Sequence, residues 1–360
     1  MNVLVTADFD PDYQRQLGQQ FEVSAAGFNL TNSFKDVLKE EEFIRQLQGI
    51  DILVVGYEDV NERVIAAAPD LKLIASIRGG PEENINIAAA TAAGLPILRT
   101  LGRTQRPVSE HTLLLMLALA RPLIRSNELV RSKKWTPEAL KDVNNRKIAE
   151  KIYDDTTELY GKTLGMVGMG NIGEAVARLA KAFGMKVNVY DPYLSQERAD
   201  QHGVTLLDLH TLVSTADYVT VHARVTPEST GVMGLEQFKA MKPSAFFVNT
   251  ARAALVDMKA LVEALREGWI RGAAIDVYEP EPPPPDDPVF SIPPDKLITT
   301  SHLAGFSRER IPYHSEYLIR GINDFLQGRV TEALFDRKVL DQPAFAQRGG
   351  KLFGTVKAQD

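Results

Sequence analysis

The feature that most constrains this chain is Val167-Gly168-Met169-Gly170-Asn171-Ile172-Gly173, three glycines at Gly-x-Gly-x-x-Gly spacing. The spacing alone recurs by chance, so its setting decides its weight. The apolar run Thr163-Val167 reads as a strand ending at the first glycine, and residues 171 to 182 read as a helix. A second strand follows at Lys186-Tyr190 and is closed by Asp191. In such a strand-turn-helix-strand unit the glycines allow the tight turn and let a ligand approach the backbone. The N–H groups and partial positive charge at the helix start favour a pyrophosphate.

Gly168, Gly170, Asn171, Ile172 and Gly173 are therefore read as a dinucleotide pyrophosphate loop. Asp191 lies about 18 residues past Gly173 (191 − 173), near the spacing at which a carboxylate accepts hydrogen bonds from the adenosine ribose hydroxyls. It would repel a 2′-phosphate, so NAD is expected over NADP. Nearby residues such as Arg198 could modify that preference.

Short apolar runs alternate with amphipathic segments along most of the chain, which predicts an α/β fold of parallel strands and crossover helices. At 360 residues the chain exceeds the common single-domain range, so two domains are expected. In the first third, Val3-Thr6, Ile52-Gly56 and Leu73-Ile77 read as strands of a small open sheet. Helices are expected at Ile85-Ala93 and around Phe43-Leu47. From Pro107 a long helical stretch runs to about Arg131, with Pro122 as a kink. Residues 135 to 160 are polar and weakly periodic and read as an exposed arm.

A second series of strands follows at Thr163-Val167, Lys186-Asp191, Tyr218-His222, Ala245-Thr250, Gly272-Val277 and Leu297-Thr300. Six strands are enough for a complete doubly wound nucleotide-binding sheet. A helix from about Arg308 to Gln327 is expected to pack back on the first domain. The predicted organisation is residues 1–107 as the first part of a smaller, flavodoxin-like substrate domain and 108–304 as an inserted Rossmann-type NAD domain. Residues 305–336 then return by a helix to the substrate domain, and 337–360 form an irregular tail.

Composition excludes several function classes. A net charge of -6 gives no general attraction to nucleic acid or to an anionic membrane. The absence of cysteine removes disulfides, thiol nucleophiles and thiolate metal sites. The start of the chain lacks a basic, long apolar leader, and the longest apolar stretch, Leu113 to Ala120, is too short to span a bilayer. A soluble, cytoplasmic protein is expected.

Reducing a ketone with hydride leaves an alkoxide that needs a proton, and histidine titrates near the working pH. Of the six histidines, His202 and His210 read as solvated, and His111 and His314 as helix residues. His222 and His302 each close a strand, and strand carboxyl ends line the ligand crevice of this architecture. Spacing does not rank these two. The strand Phe246-Phe247-Val248-Asn249-Thr250-Ala251 delivers Arg252 to the same edge, where a guanidinium can grip a carboxylate through two hydrogen bonds.

These residues, with the motifs around them, resemble the D-isomer-specific 2-hydroxyacid dehydrogenases, the family of phosphoglycerate, glycerate and D-lactate dehydrogenases. The similarity runs from about Leu71 to Gly328. It is carried by Arg78-Gly79-Gly80, Val108-Ser109-Glu110-His111-Thr112, residues 165–173, Val221-His222 with Thr226-Pro227-Glu228, and residues 249–257, 276–282 and 301–305. The resemblance implies an NAD-dependent oxidoreductase acting at C2 of a 2-oxo or 2-hydroxy acid. It makes Arg252 the carboxylate clamp, His302 the acid/base and Glu281, the Glu before Pro282, its partner in preference to Glu279. A carboxylate so placed favours the protonated imidazole.

The resemblance further implies that Asp276 serves the nicotinamide carboxamide, Thr250 and Ala251 flank the nicotinamide, and His222 and Thr226 line the adenosine half. Arg78, Gly79 and Gly80 would bind the substrate carboxylate through backbone N–H groups. No metal is expected, because the cluster has no ligand spacing for one and Arg and His supply the electrophilic chemistry. The family implies a homodimer, formed through the helical stretch from Ser109 and the arm to Tyr160.

The sequence departs from the family pattern at Arg224, at Ala253-Ala254 and at Leu101-Gly102-Arg103. With Arg78, Arg99 and Arg106, Arg103 concentrates positive charge, which points to a substrate carrying a second anionic or polar group. The competing reading is that these arginines face solvent or pair with acidic neighbours. Two other functions compete with hydroxyacid oxidoreduction: oxidation of a one-carbon anion, disfavoured by Glu281, and an NAD(H)-sensing, corepressor-like scaffold with little activity.

Overall fold

The inner strands of both sheets are nearly continuous apolar runs because both faces of each are covered. The computed structural model describes residues 1–31 and 33–348. The chain divides into two units, one made of Met1–Arg103 and the chain from Ser307 onward, the other of Thr104–Phe306.

In the first unit, β1 (Asn2–Val5), β2 (Glu22–Ala25), β3 (Ile52–Val55), β4 (Leu73–Ser76) and β5 (Ile97–Arg99) form a parallel sheet in the order β2-β1-β3-β4-β5. This is the flavodoxin-like order, with the chain reversing direction across the sheet between β1 and β3. Alternate residues serve opposite cores. Val3, Val5, Ile52, Val54 and Leu73 pack under Leu318, Ile319, Ile322 and Phe325 of the helix Arg310–Leu326. Leu4, Leu53, Val55 and Ile74 pack on Phe43, Leu47, Val64 and Ile65. The returning helix thus belongs to the first unit.

Two strands of this sheet go beyond the three predicted. β2 is an edge strand whose residues Glu22 and Ser24 are exposed, and β5 is three residues long after Pro96. β2 lacks an apolar run, and in β5 the run is only Ile97-Leu98. The tail is also more regular than expected, since Arg337–Asp341 and Pro343–Gln347 are helical and bury Val339 and Phe345 in the core. Residues 349–360 of the predicted tail lie outside the described residues.

The second unit contains β6 (Thr163–Val167), β7 (Lys186–Tyr190), β8 (Thr205–Leu206), β9 (Tyr218–Val221), β10 (Phe246–Asn249), β11 (Gly272–Ile275) and β12 (Leu297–Thr299). They are parallel, in the order β12-β11-β10-β9-β6-β7-β8. The reversal between β6 and β9 is the switch point at which dinucleotides bind in doubly wound sheets. Val167, Val219, Val221, Phe247 and Ile275 fill one core, and Leu164, Met166, Phe246, Val248 and Ala274 the other.

The predicted long helix is two helices, Gln105–Ala120 and Leu123–Arg131, because Pro122 breaks rather than kinks it. The arm, read as exposed and not core, has a small core of its own. It contains the helix Val143–Asp154, capped by the Asp142 carboxylate, and Leu129, Ala149 and Ile152 bury one another in a small core.

Candidate active site at the strand ends of the second unit

Register places most of the candidate site in one row. Val167 is level with Tyr190 and Val221, Val221 with Asn249, Asn249 with Ile275, and Ile275 with Thr299. The next residue on each strand is therefore Asp191, Gly168, His222, Thr250, Asp276 and Thr300, running across the sheet. Three residues past β10 and β12 come Arg252 and His302, on the same edge.

The glycine loop has the geometry that a phosphate site requires. Gly168 has φ +87°, and a Cβ there would lie 2.6 Å from the Ala223 backbone, so only glycine fits the switch point. At Gly173 a Cβ would stand 2.9 Å from the Gly168 carbonyl oxygen, which fixes how closely the helix Asn171–Ala182 meets the loop. Around Gly170, by contrast, nothing lies within 4 Å of a Cβ position. A tight turn facing open space at the start of a helix of 12 residues fits a pyrophosphate. Gln105 donates from its side chain to the Asn171 carbonyl at 2.7 Å and ties the helix start to the helix Gln105–Ala120, and Ile172 packs partly buried into the core.

Asp191 accepts hydrogen bonds from the N–H groups of Met169 (2.8 Å) and Tyr193 (2.9 Å), which holds the glycine loop and the β7 turn together. Each carboxylate oxygen keeps a further lone pair for a ribose hydroxyl. His222 is half-buried; its N–H donates to the Val167 carbonyl and its Nε2 lies 3.2 Å from Thr220 Oγ1. Burial pushes its pKa down to about 4, so it is neutral at neutral pH. Thr226 opens a turn in which its N–H donates to Ser229 Oγ. Thr250 Oγ1 meets Thr112 Oγ1 at 2.8 Å, and the Ala251 N–H donates to Asn249 Oδ1. Asn249 also donates to the Arg252 carbonyl, leaving the Arg252 side chain exposed.

His302 and Glu281 are brought together: Nδ1 and Oε2 are 2.7 Å apart, with the side chains 42% and 35% exposed, so Nε2 is the nitrogen left to meet a substrate. His302 has φ +53°, a strained region for a residue with a side chain. What holds it there is Asp276. This carboxylate is fully buried and accepts from the N–H groups of Leu303 (3.0 Å) and Ala304 (2.9 Å) and from Thr300 Oγ1. Tyr278 donates to the Thr300 carbonyl at 2.7 Å, and burial raises its pKa to about 12.

His111 and Thr300 are not among the site residues that the sequence singles out. His111 Nε2 lies 3.3 Å from Thr300 Oγ1 and 3.8 Å from Asp276, and burial lowers its pKa. Aligning strand ends is the signal that finds Thr300. His111 lies in the Val108-Thr112 motif, but its place within a helix makes it read as a helix residue and not a site residue.

Arg78, Gly79 and Gly80 follow β4 in the first unit. The Arg78 N–H donates to Ser76 Oγ, its Nε donates to the Gly56 carbonyl and its guanidinium pairs with Glu83. Gly79 is exposed and Gly80 half-buried. Among the described residues no group of three or more His, Asp or Glu could hold a metal ion, and no helix is long and apolar enough to cross a membrane.

Residues 113–304 match the family model described as "D-isomer specific 2-hydroxyacid dehydrogenase, NAD binding domain". A D-3-phosphoglycerate dehydrogenase of Archaeoglobus fulgidus is 38% identical over 83% of this chain and 51% of its own length. This chain thus spans about half the length of that relative. A glyoxylate reductase of Korarchaeum cryptofilum is 35% identical over 82% of this chain and 86% of its own. Among solved structures, the TT0316 protein of Thermus thermophilus is 31% identical, with a TM-score of 0.75 over 93% of this chain and 100% of that one. The chain belongs to the D-isomer specific 2-hydroxyacid dehydrogenase family, and its second unit carries that family's NAD binding domain.

Proposed function

We propose that this protein is an NAD-dependent D-2-hydroxyacid dehydrogenase that interconverts a 2-oxo acid and its D-2-hydroxy acid. The observation that carries the reading is the 2.7 Å His302–Glu281 pair on the strand edge where the glycine loop lies. NAD fits Gly168, Gly170, Asn171, Ile172 and Gly173 at its pyrophosphate, Asp191 at the adenosine ribose, and His222 and Thr226 along the adenosine half. Thr250 and Ala251 are assigned to the nicotinamide end, and Asp276 serves that end through the turn it anchors.

When bound, NADH supplies the hydride to C2. The Arg252 guanidinium clamps the substrate carboxylate and polarises the neighbouring carbonyl. In unit one, Gly79 and Gly80 with Arg78 are assigned to the substrate carboxylate through their backbone. His302, protonated at Nε2, gives its proton to the C2 oxygen as that oxygen gains charge; Glu281 accepts from Nδ1–H and stabilises the cation before transfer. In oxidation the same nitrogen takes the hydroxyl proton. Carbonyl, hydride and proton sum to the hydroxy acid, with no further reactant.

A homodimer is part of this reading. Leu114, Leu123, Ile124, Trp135, Val143, Ile148 and Tyr153 are large apolar residues exposed on the helices and arm from 105 to 154, more than isolated surface residues account for. A cytoplasmic setting accords with the lack of cysteine. The test is NADH oxidation against a panel of 2-oxo acids, with chiral analysis of the product. Formation of the D-isomer is expected; turnover to the L-isomer would refute the proposal.

A further inference from the structure

At the β1/β3 reversal of the first unit lies a buried, charged cluster that the proposed chemistry does not use. Asp8 follows β1, Tyr57 follows β3 and Arg103 follows β5, so the carboxyl ends of three strands contribute to it; Arg310 and His314 come from the returning helix. The Asp8 carboxylate takes the Arg310 guanidinium at 3.2 Å and a hydrogen bond from Tyr57 at 3.4 Å. Its backbone carbonyl lies 2.6 Å from His314 Nε2, and Arg103 Nε donates to His314 Nδ1 at 3.1 Å.

The guanidiniums of Arg103 and Arg310 both lie beside the Asp8 carboxylate, and their side chains are only 10% (Arg103) and 9% (Arg310) exposed. His314 adds no negative charge, and burial, opposed in part by Asp8, drives its pKa down to about 4, so it is neutral. Glu58, next to Tyr57, turns its Oε2 to the Thr6 hydroxyl, which donates to it. Arg103 Nη2 stays 3.7 Å from Asp8 and has no hydrogen-bond partner among the described residues. A buried guanidinium nitrogen left without a hydrogen bond is costly, and an oxyanion would satisfy it. The place is also right, because open α/β sheets bind ligands at the strand carboxyl ends beside the point of reversal.

We infer that Arg103, Arg310 and Tyr57 form an oxyanion site in the first unit, taking a phosphate or carboxylate group with Arg103 as its principal ligand. If that group is the far end of the 2-oxo acid, the inference rests on the function proposed above; if it is a free anion, it does not. Arg103 stands in the Leu101-Gly102-Arg103 stretch that departs from the family pattern.

The experiment combines calorimetric titration of inorganic phosphate with steady-state kinetics on 2-oxobutanoate, 2-oxoglutarate and 3-phosphohydroxypyruvate, in wild type, Arg103→Met and Arg103→Lys. Arg103→Met leaves Asp8 paired with Arg310, so the variant is expected to fold. Phosphate should bind wild type, bind Arg103→Met at least about tenfold more weakly, and bind Arg103→Lys at an intermediate strength. If the anion is the substrate's far end, kcat/KM for 2-oxoglutarate or 3-phosphohydroxypyruvate drops by a similar factor in Arg103→Met while that for 2-oxobutanoate holds. Arg103-dependent phosphate binding with an unchanged substrate ratio supports the site and assigns it to a free anion. The same binding with no 2-oxo acid turned over by wild type supports the site and refutes the proposed function. No phosphate binding to wild type, or equal binding to Arg103→Met, overturns the inference.

Discussion

Replacing Asp276 by Asn tests how the His302 turn is held. The carboxylate accepts from three donors, the N–H groups of Leu303 and Ala304 and the hydroxyl of Thr300, and it is fully buried. An amide has one oxygen, which can keep the Leu303 and Thr300 bonds made to Oδ1, but its NH2 group would face the Ala304 N–H, donor against donor. A hydrogen bond to a charged group is worth about 1.5–3 kcal/mol, and leaving the buried N–H unsatisfied costs about 1–3 kcal/mol. The turn also maintains His302 at φ +53°, a conformation costing roughly 1–2 kcal/mol. With the anchor weakened, the turn relaxes before the whole domain unfolds. The account predicts a fall in unfolding free energy of about 3 kcal/mol by urea titration. At about 1.36 kcal/mol per decade, it also predicts a loss of kcat of roughly 10- to 100-fold, with KM for the 2-oxo acid changed far less. An Asn variant within about twofold of wild type in kcat would refute the anchoring argument.

Three further expectations follow from the same geometry. Gly168→Ala should abolish NADH binding in a fluorescence titration, because its Cβ would stand 2.6 Å from the Ala223 backbone at φ +87°; retained affinity would mean that the loop is not the pyrophosphate site. Glu281→Gln should lower kcat by about 10- to 100-fold while leaving NADH affinity within about twofold, since it removes the charge behind Nδ1 and not the ring. His222 and His314 have folded pKa values near 4 against 6.5 for the free side chain, so between pH 6.5 and 4 the unfolded chain binds protons that the folded chain excludes. Stability is therefore full above pH 6.5 and falls as the pH drops through that window, by up to roughly 3 kcal/mol per histidine. Urea midpoints flat from pH 7 to about 4.5 would contradict this.

The sequence was most legible where one physical demand dominates. β3 and β6 are apolar throughout because both faces are buried, and Gly168 has no alternative at its turn. It was least legible where the demand is long-range. β2 and β5 form on pairing with β1 and β4 rather than on their own pattern. His302 could not be ranked above His222 by spacing, and the structure separates them physically: one is half-buried and neutral beside Thr220, the other faces Glu281. The role of Asp276 in the turn depends on donors at 300, 303 and 304, which approach only when β11 and β12 pair. The cluster around Arg103 was equally hidden, since Asp8 and His314 lie at opposite ends of the chain.

The most direct test of the central claim compares wild type with His302→Gln for 2-oxo acid reduction and, separately, for NADH affinity. The account predicts that turnover falls by at least about a thousandfold while NADH affinity stays within about twofold, because His302 handles the proton and the glycine loop holds the cofactor. Wild type that binds NADH tightly yet reduces no 2-oxo acid, or a His302→Gln variant that keeps its turnover, would contradict it and favour an NAD(H)-sensing scaffold.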